Sequence, residues 1–327
     1  MAYKRLQNTF AESRLTLPFA SLVTLAMCYL CGAVEQRLWM QTLCLAISAY
    51  LMVELSNTHQ LIRVYSMMIP AMFLLLFCVT PILFPDLASG ILLLCAIAIY
   101  AMLFRCYQLH RSAGWVFYGF FCLGISSLVF VQSLYYVPLL WLLLYFNLRT
   151  LSLKSFIASL LGLMAPYWFA LTYYFYLGES DYFSNHFQGL FTFGPLFDMT
   201  QLDEHQYLSL GWIALLALIG IIHYLRQGYH DKIRTRMYYE IFMVIDIVTF
   251  LFLILQPQHY ALLMPILIVN TCPLIGHFMA LTGTWLTNIV FHLIILVTLA
   301  IIFYNVWMHS SNFLSVMATS ACSFLPL

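Results

Sequence analysis

Apolar residues gather into eleven stretches along the chain, at about 16–34, 39–55, 65–84, 88–104, 115–131, 134–148, 156–177, 208–225, 238–256, 260–280 and 284–307. Short polar connections separate them. None shows the strict alternation of a half-buried strand. A helix crossing a bilayer needs roughly 17 to 25 mostly apolar residues, because backbone groups in hydrocarbon must be hydrogen-bonded within the segment. The pattern therefore predicts an all-α polytopic transmembrane bundle of about eleven spans, forming one membrane domain over residues 1–327. The shortest predicted connection lies between Val131 and Leu134, where two helices must meet in a tight hairpin. No repeat of 20 to 50 residues and no soluble domain is visible. The two longer connections are 178–207 and 226–237.

Composition agrees with the bilayer as solvent: 64% of the 327 residues are hydrophobic and 8% are charged. Charge adds direction. Lys and Arg in short loops are retained on the cytoplasmic side. With the N-terminus inside, Lys4, Arg5, Arg14, Arg63, Arg105, Arg111, Arg149, Lys154, Arg226, Lys232, Arg234 and Arg236 are all cytoplasmic, twelve of the thirteen basic residues, and only Arg37 is external. Seven of the twelve acids, Glu35, Asp86, Glu179, Asp181, Asp198, Asp203 and Glu204, fall outside. The expectation is N-in, C-out. The first apolar run follows Lys4, Arg5 and Arg14 like a signal peptide, but it is long enough to span and lacks a clean small-x-small cleavage site, so it reads as a retained helix.

The basic residues are spread over six loops as topology anchors, which gives no nucleic-acid patch. Seven of the nine cysteines lie within apolar stretches, where Cys behaves as a small apolar residue. Cys28 and Cys31 form a C-x-x-C, yet within an apolar helix and without a second ligand pair.

Three sets of residues are candidates for chemistry. Asp246 lies near the middle of its span, where an Asp costs about 2.5 to 3.5 kcal/mol on insertion scales and calls for a polar partner. Asn270 and His292, at similar depth in the next two spans, are the expected partners. The resulting cluster can fix helix packing through hydrogen bonds, relay protons, or wall a site. The second set is Glu35, Asp86, Glu179 and Asp181, at the outer mouths of different helices. If they converge, one can serve as a catalytic base or the set can hold a divalent cation; separately they are ordinary loop acids, and Asp86 after Pro85 has turn character. The third is the 178–207 loop, with no Lys or Arg, five acids, His186, His205 and the rings Tyr182, Phe183, Phe187, Phe191, Phe193, Phe197 and Tyr207. Such rings stack on sugars, or rest at the headgroup level. His223 and His277, near cytoplasmic helix ends, read as capping or snorkelling residues.

The stretches NTHQLIRVYSMMIPAMFLLLF at 57–77 and VFYGFFCLGISSLVFVQSLYYVPLLWLLLYFNLRTLSLKSFIASLLGLMAPYWFALTYYF at 116–175 resemble a family of uncharacterised polytopic membrane proteins from Bacteroidota. That resemblance implies a bacterial inner-membrane location and no established activity. The layout is more distantly similar to GT-C glycosyltransferases, which take sugars from a polyprenyl-phosphate carrier on the external side. Those enzymes carry a long first external loop with a catalytic acid, whereas here 32–38 is short and offers only Glu35. The expectation is a glycosyltransferase-like protein acting on a lipid-linked sugar. The alternatives are a non-catalytic scaffold or assembly subunit, partnered by other membrane proteins, and a transporter or flippase.

Overall fold

The computed structural model describes residues 13, 15–109, 111–178, 182–282 and 284–323, with side chains up to 308. Among them there is no strand. The helices are α1 Thr16–Leu30, α2 Trp39–His59, α3 Met68–Cys78, α4 Leu87–Leu103, α5 Ala113–Val129, α6 Tyr136–Phe146, α7 Leu153–Leu177, α8 Tyr182–Gln188, α9 Glu204–Gln227, α10 Ile233–Leu255, α11 Tyr260–Leu281 and α12 Trp285–Ser323. Each apolar stretch holds one of them, and α8 lies within the 178–207 connection. Seven are long and apolar enough to cross a membrane, in the regions of α2, α4, α7, α9, α10, α11 and α12; α1, α3, α5 and α6 are apolar but shorter. This is the make-up of a multi-pass membrane protein.

Local chemistry sets several boundaries. Pro81 has no N–H and drives Thr80 out of the helical region (φ −121°, ψ 65°), so α3 stops at Cys78 and resumes as a 3-10 turn, Pro81–Leu83. That break orphans the Val79 carbonyl inside the protein. Asn305 Nδ2 at 2.7 Å and Ser209 Oγ at 3.0 Å donate to it, tying α12 and α9 to the broken helix. Between α5 and α6 the hairpin is a 3-10 turn, Val131–Tyr135. α10 begins at Ile233, five residues before its apolar edge, because the charged first turn is helical without being hydrophobic.

The core is organised around α11. Its residues Leu263 to Phe278 are all buried, as expected of a helix that is apolar all round. α9, α10, α3 and α4 pack on it. Gly220 sets the α9 contact, since a Cβ there would stand 2.8 Å from the Leu274 carbonyl carbon; Gly276 lets α3 approach in the same way at Ile69. A second close pair is α5 with α7, joined through Gly124 and Gly162.

Hydrogen bonds gather the connections into two ends. At one, Lys232 Nζ donates to Gln60 Oε1 (3.1 Å), Asn147 Nδ2 to Glu240 Oε2 (2.7 Å), Tyr238 OH to the Phe104 carbonyl (2.7 Å) and Gln108 N to the Leu148 carbonyl (3.0 Å). Arg63, Arg105 and Arg149 lie in connections at this end, Arg226 in the last turn of α9, and Arg234 and Arg236 in the first turns of α10. At the other, Gln41 Nε2 donates to the Pro85 carbonyl (3.1 Å) and Gln132 Nε2 to that of Gly189 (3.0 Å), while Ser89 Oγ lies 2.8 Å from the Ala261 carbonyl oxygen.

Candidate functional site at the basic end

Three elements converge where α9 ends, α10 begins and α11 ends. Because Gly220 draws α9 onto α11 at Leu274, His223, about one turn further along α9, and His277 of α11 come within 5.4 Å ring to ring. Asp231, in the turn before α10, meets them: its Oδ2 is 2.8 Å from His277 Nε2. The pair is sealed, with side chains 4% and 1% exposed respectively. Tyr224 and Tyr239 stack on each other at 4.4 Å, and each ring lies 5.1 Å from His277. His223 Nε2, Tyr224 OH and His277 Nδ1 are buried and have no hydrogen-bond partner among the described residues.

Asp231 also lines a polar groove of roughly 400 Å³, in the size range of small-molecule sites. Its walls come from the end of α2 (Asn57, Gln60), the segment before α3 (Arg63, Ser66) and the start of α10 (Lys232, Thr235). Two cations, Arg63 and Lys232, line it together with Asp231. Gln60 turns the chain through the left-handed region (φ 48°) to form this wall. The first turn of α10 adds backbone N–H groups at a helix N-terminus, a setting that favours anions.

The residues singled out from sequence are placed as follows. Asp246 is buried at 2% exposure, and Thr271 Oγ1 donates to its Oδ1 at 3.2 Å. Asn270 is buried beside Thr271 but turns to Tyr100, whose OH donates to Asn270 Oδ1 at 2.5 Å. Tyr136 OH and Thr249 Oγ1, at 2.8 Å, extend this polar layer. His292 does not join it. It is exposed on α12 with Nδ1 2.7 Å from the Asn288 carbonyl, and α12 packs on α1, α3 and α9 rather than beside α10. Equal depth along successive spans does not make them neighbours.

The outer acids are not gathered into a site among the described residues. Glu35 is exposed in the turn after α1. Asp86 is the N-cap of α4, accepting from Ala88 N (3.1 Å), Ser89 N (3.0 Å) and Ser89 Oγ (2.6 Å). Glu179 and Asp181 lie outside the described residues. We expect Asp86→Ala to cost about 1 kcal/mol of stability, the usual worth of an N-cap, and Asp86→Asn to recover most of it, as read by thermal unfolding in detergent. Loss of activity at unchanged stability would contradict the capping role.

Residues 182–207 fold back on their end of the bundle. His186 Nε2 lies 3.0 Å from the Ser127 carbonyl, and Gly194 N donates to Gln256 Oε1 at 3.0 Å. Tyr182 stacks on Tyr174 at 3.7 Å and Phe187 on Tyr167 at 5.4 Å, while Phe191, Phe193 and Phe197 stay exposed. Asp198 accepts from Thr200 Oγ1 and Gln201 Nε2, which holds its carboxyl below the ordinary carboxylate range. Cys28 and Cys31 are buried and free, and no group of three or more His, Cys, Asp or Glu placed to hold a metal ion occurs among the described residues.

Sequence inspection passed over Asp231, His223 and His277 as a group. The available signals were two histidines near helix ends on the basic side, an acid in the connection between them, and Gly220 about one turn before His223. No protein family, curated protein or solved structure matches the chain.

Proposed function

We propose that the chain is an eleven-span protein of the bacterial inner membrane, N-in and C-out, that binds a phosphate-bearing polar ligand at its cytoplasmic end. The observation that carries this is the groove lined by Arg63 and Lys232, beside Asp231 whose carboxyl is buried against His277. A guanidinium and an ammonium over a helix N-terminus suit a phosphate. Asn57, Gln60 and Ser66 supply the neutral donors and acceptors that a sugar-sized ligand uses.

An outer-face site for a polyprenyl-phosphate-linked sugar has less support, because Asp86 is committed to its cap and Glu35 stands exposed. Transport draws on Asp246. That carboxyl is buried between helices and partnered by Thr271, an arrangement which also serves packing alone.

Binding tests the proposal. Glucose 1-phosphate should raise the unfolding temperature of the purified protein, and uncharged glucose should not. Arg63→Gln and Lys232→Gln, both at exposed positions, should each weaken that binding by about ten-fold, the worth of one charge-assisted contact. Equal responses from the natural protein and both variants would remove the groove as the site.

A further inference from the structure

On the other side of the His223–His277 contact lies a second pocket, of roughly 320 Å³, between the end of α9 and the start of α12. It is distinct from the Arg63 groove and shares no lining residue with it. Its composition is divided. Ile219, Ile222 and Phe278 form an apolar floor, and His223, Arg226, Thr284 and Thr287 form a polar rim.

The rim has the parts of an anion site. Arg226 is exposed. Thr284 and Thr287 cap α12 reciprocally: Thr287 N donates to Thr284 Oγ1 at 3.3 Å and Thr284 N to Thr287 Oγ1 at 3.0 Å. The cap occupies the N–H of Thr287 and leaves those of Trp285 and Leu286, earlier in the first turn, directed out of the helix start. Independently, His223 is only 9% exposed and its Nε2 has no hydrogen-bond partner among the described residues. His223 lines the pocket, and its second ring nitrogen, Nδ1, is the one left to meet a ligand there.

We propose that this pocket binds a phosphate monoester carried by a membrane lipid, with Arg226, His223 and the α12 N-terminus on the phosphate and Ile219, Ile222 and Phe278 along the first part of its chain. The apolar floor is what favours a lipid over free phosphate, since a bare anion gains nothing from the side chains of Phe278, which is buried, and of Ile219 and Ile222, which are partly open. Arg226 suits the doubly ionised monoester better than a zwitterionic diester headgroup.

Native mass spectrometry of the full chain in detergent, titrated with phosphatidic acid, phosphatidylcholine or inorganic phosphate, tests this. Phosphatidic acid should be retained about ten-fold more tightly than phosphatidylcholine, and Arg226→Gln should abolish that preference while Arg226→Lys keeps part of it. His223→Gln, which can still donate, should weaken binding less than His223→Leu. Arg63→Gln should leave lipid retention unchanged, so failure here and failure of the Arg63 groove are read separately. Equal retention of both lipids, or a phosphatidic acid preference indifferent to Arg226 and His223, overturns the proposal. So does inorganic phosphate binding that depends on Arg226 but is not displaced by phosphatidic acid, which would make the free ion the occupant.

Discussion

Gly162→Ala should lower the stability of the protein by about 3 kcal/mol or more, a severe effect for one added methyl group. The Cβ would be driven onto the Phe117 carbonyl oxygen and would lie 3.1 Å from its carbon, and these are backbone atoms that no rotamer change can move. The α5 and α7 helices must then separate. Gly124, facing Leu163 and Pro166 across the same seam, loses its contacts as they part. Helix association in a bilayer rests on such close packing, because lipid tails are as apolar as the side chains they replace. Gly114, on the same α5 helix, meets nothing within 4 Å, so Gly114→Ala should be neutral or stabilising by up to about 1 kcal/mol. Thermal unfolding of the two variants side by side checks this, and similar curves would contradict the packing account.

Removal of His277 should be comparably damaging. His277→Ala strips the Asp231 carboxyl, 4% exposed, of its buried partner and should cost roughly 2 to 3 kcal/mol. Asp231→Leu should be similarly costly, because it leaves the imidazole with neither ring nitrogen bonded: Nδ1 already lacks a partner. The combined Asp231→Leu, His277→Phe variant should be far less destabilised than the two single losses added together. Removing both partners leaves no unsatisfied group, and a coupling of about 2 kcal/mol is expected for a contact of this kind. Strict additivity would mean that the 2.8 Å contact contributes nothing.

The helices were legible because the length of an apolar run is what hydrocarbon demands. Their ends were less so wherever a helix continues into polar sequence: Arg234 and Arg236 sit in the first turns of α10, and the backbone of α12 stays helical past Met308 to Ser323. Pro81 was visible as a residue within a span, but its effect, a broken helix whose Val79 carbonyl is recovered by Asn305 and Ser209, depends on helices far away in the chain. Site residues followed the same division. Hydropathy gives the depth of Asp246 and so the need for a partner, but not the side of the helix on which the partner lies. Thr271 fills the role, next to the expected Asn270, while His292 at matching depth faces away. His223 and His277 meet because Gly220 lets α9 approach α11, while Gly276 admits α3 instead, and a glycine in a span does not announce which neighbour it admits.

Asn57 and Gln188 provide the most direct test, since both are exposed and they stand at opposite ends of the bundle, Asn57 on the wall of the Arg63 groove. A cysteine introduced at either position is read by a membrane-impermeant maleimide applied to each face of the membrane in turn. Asn57→Cys should react only from the cytoplasmic face and should be slowed by glucose 1-phosphate, and Gln188→Cys should react only from the outer face and be indifferent to that ligand. Reaction of Asn57→Cys from the outer face, or at a rate untouched by the phosphorylated sugar, would contradict a cytoplasmic phosphate-ligand groove.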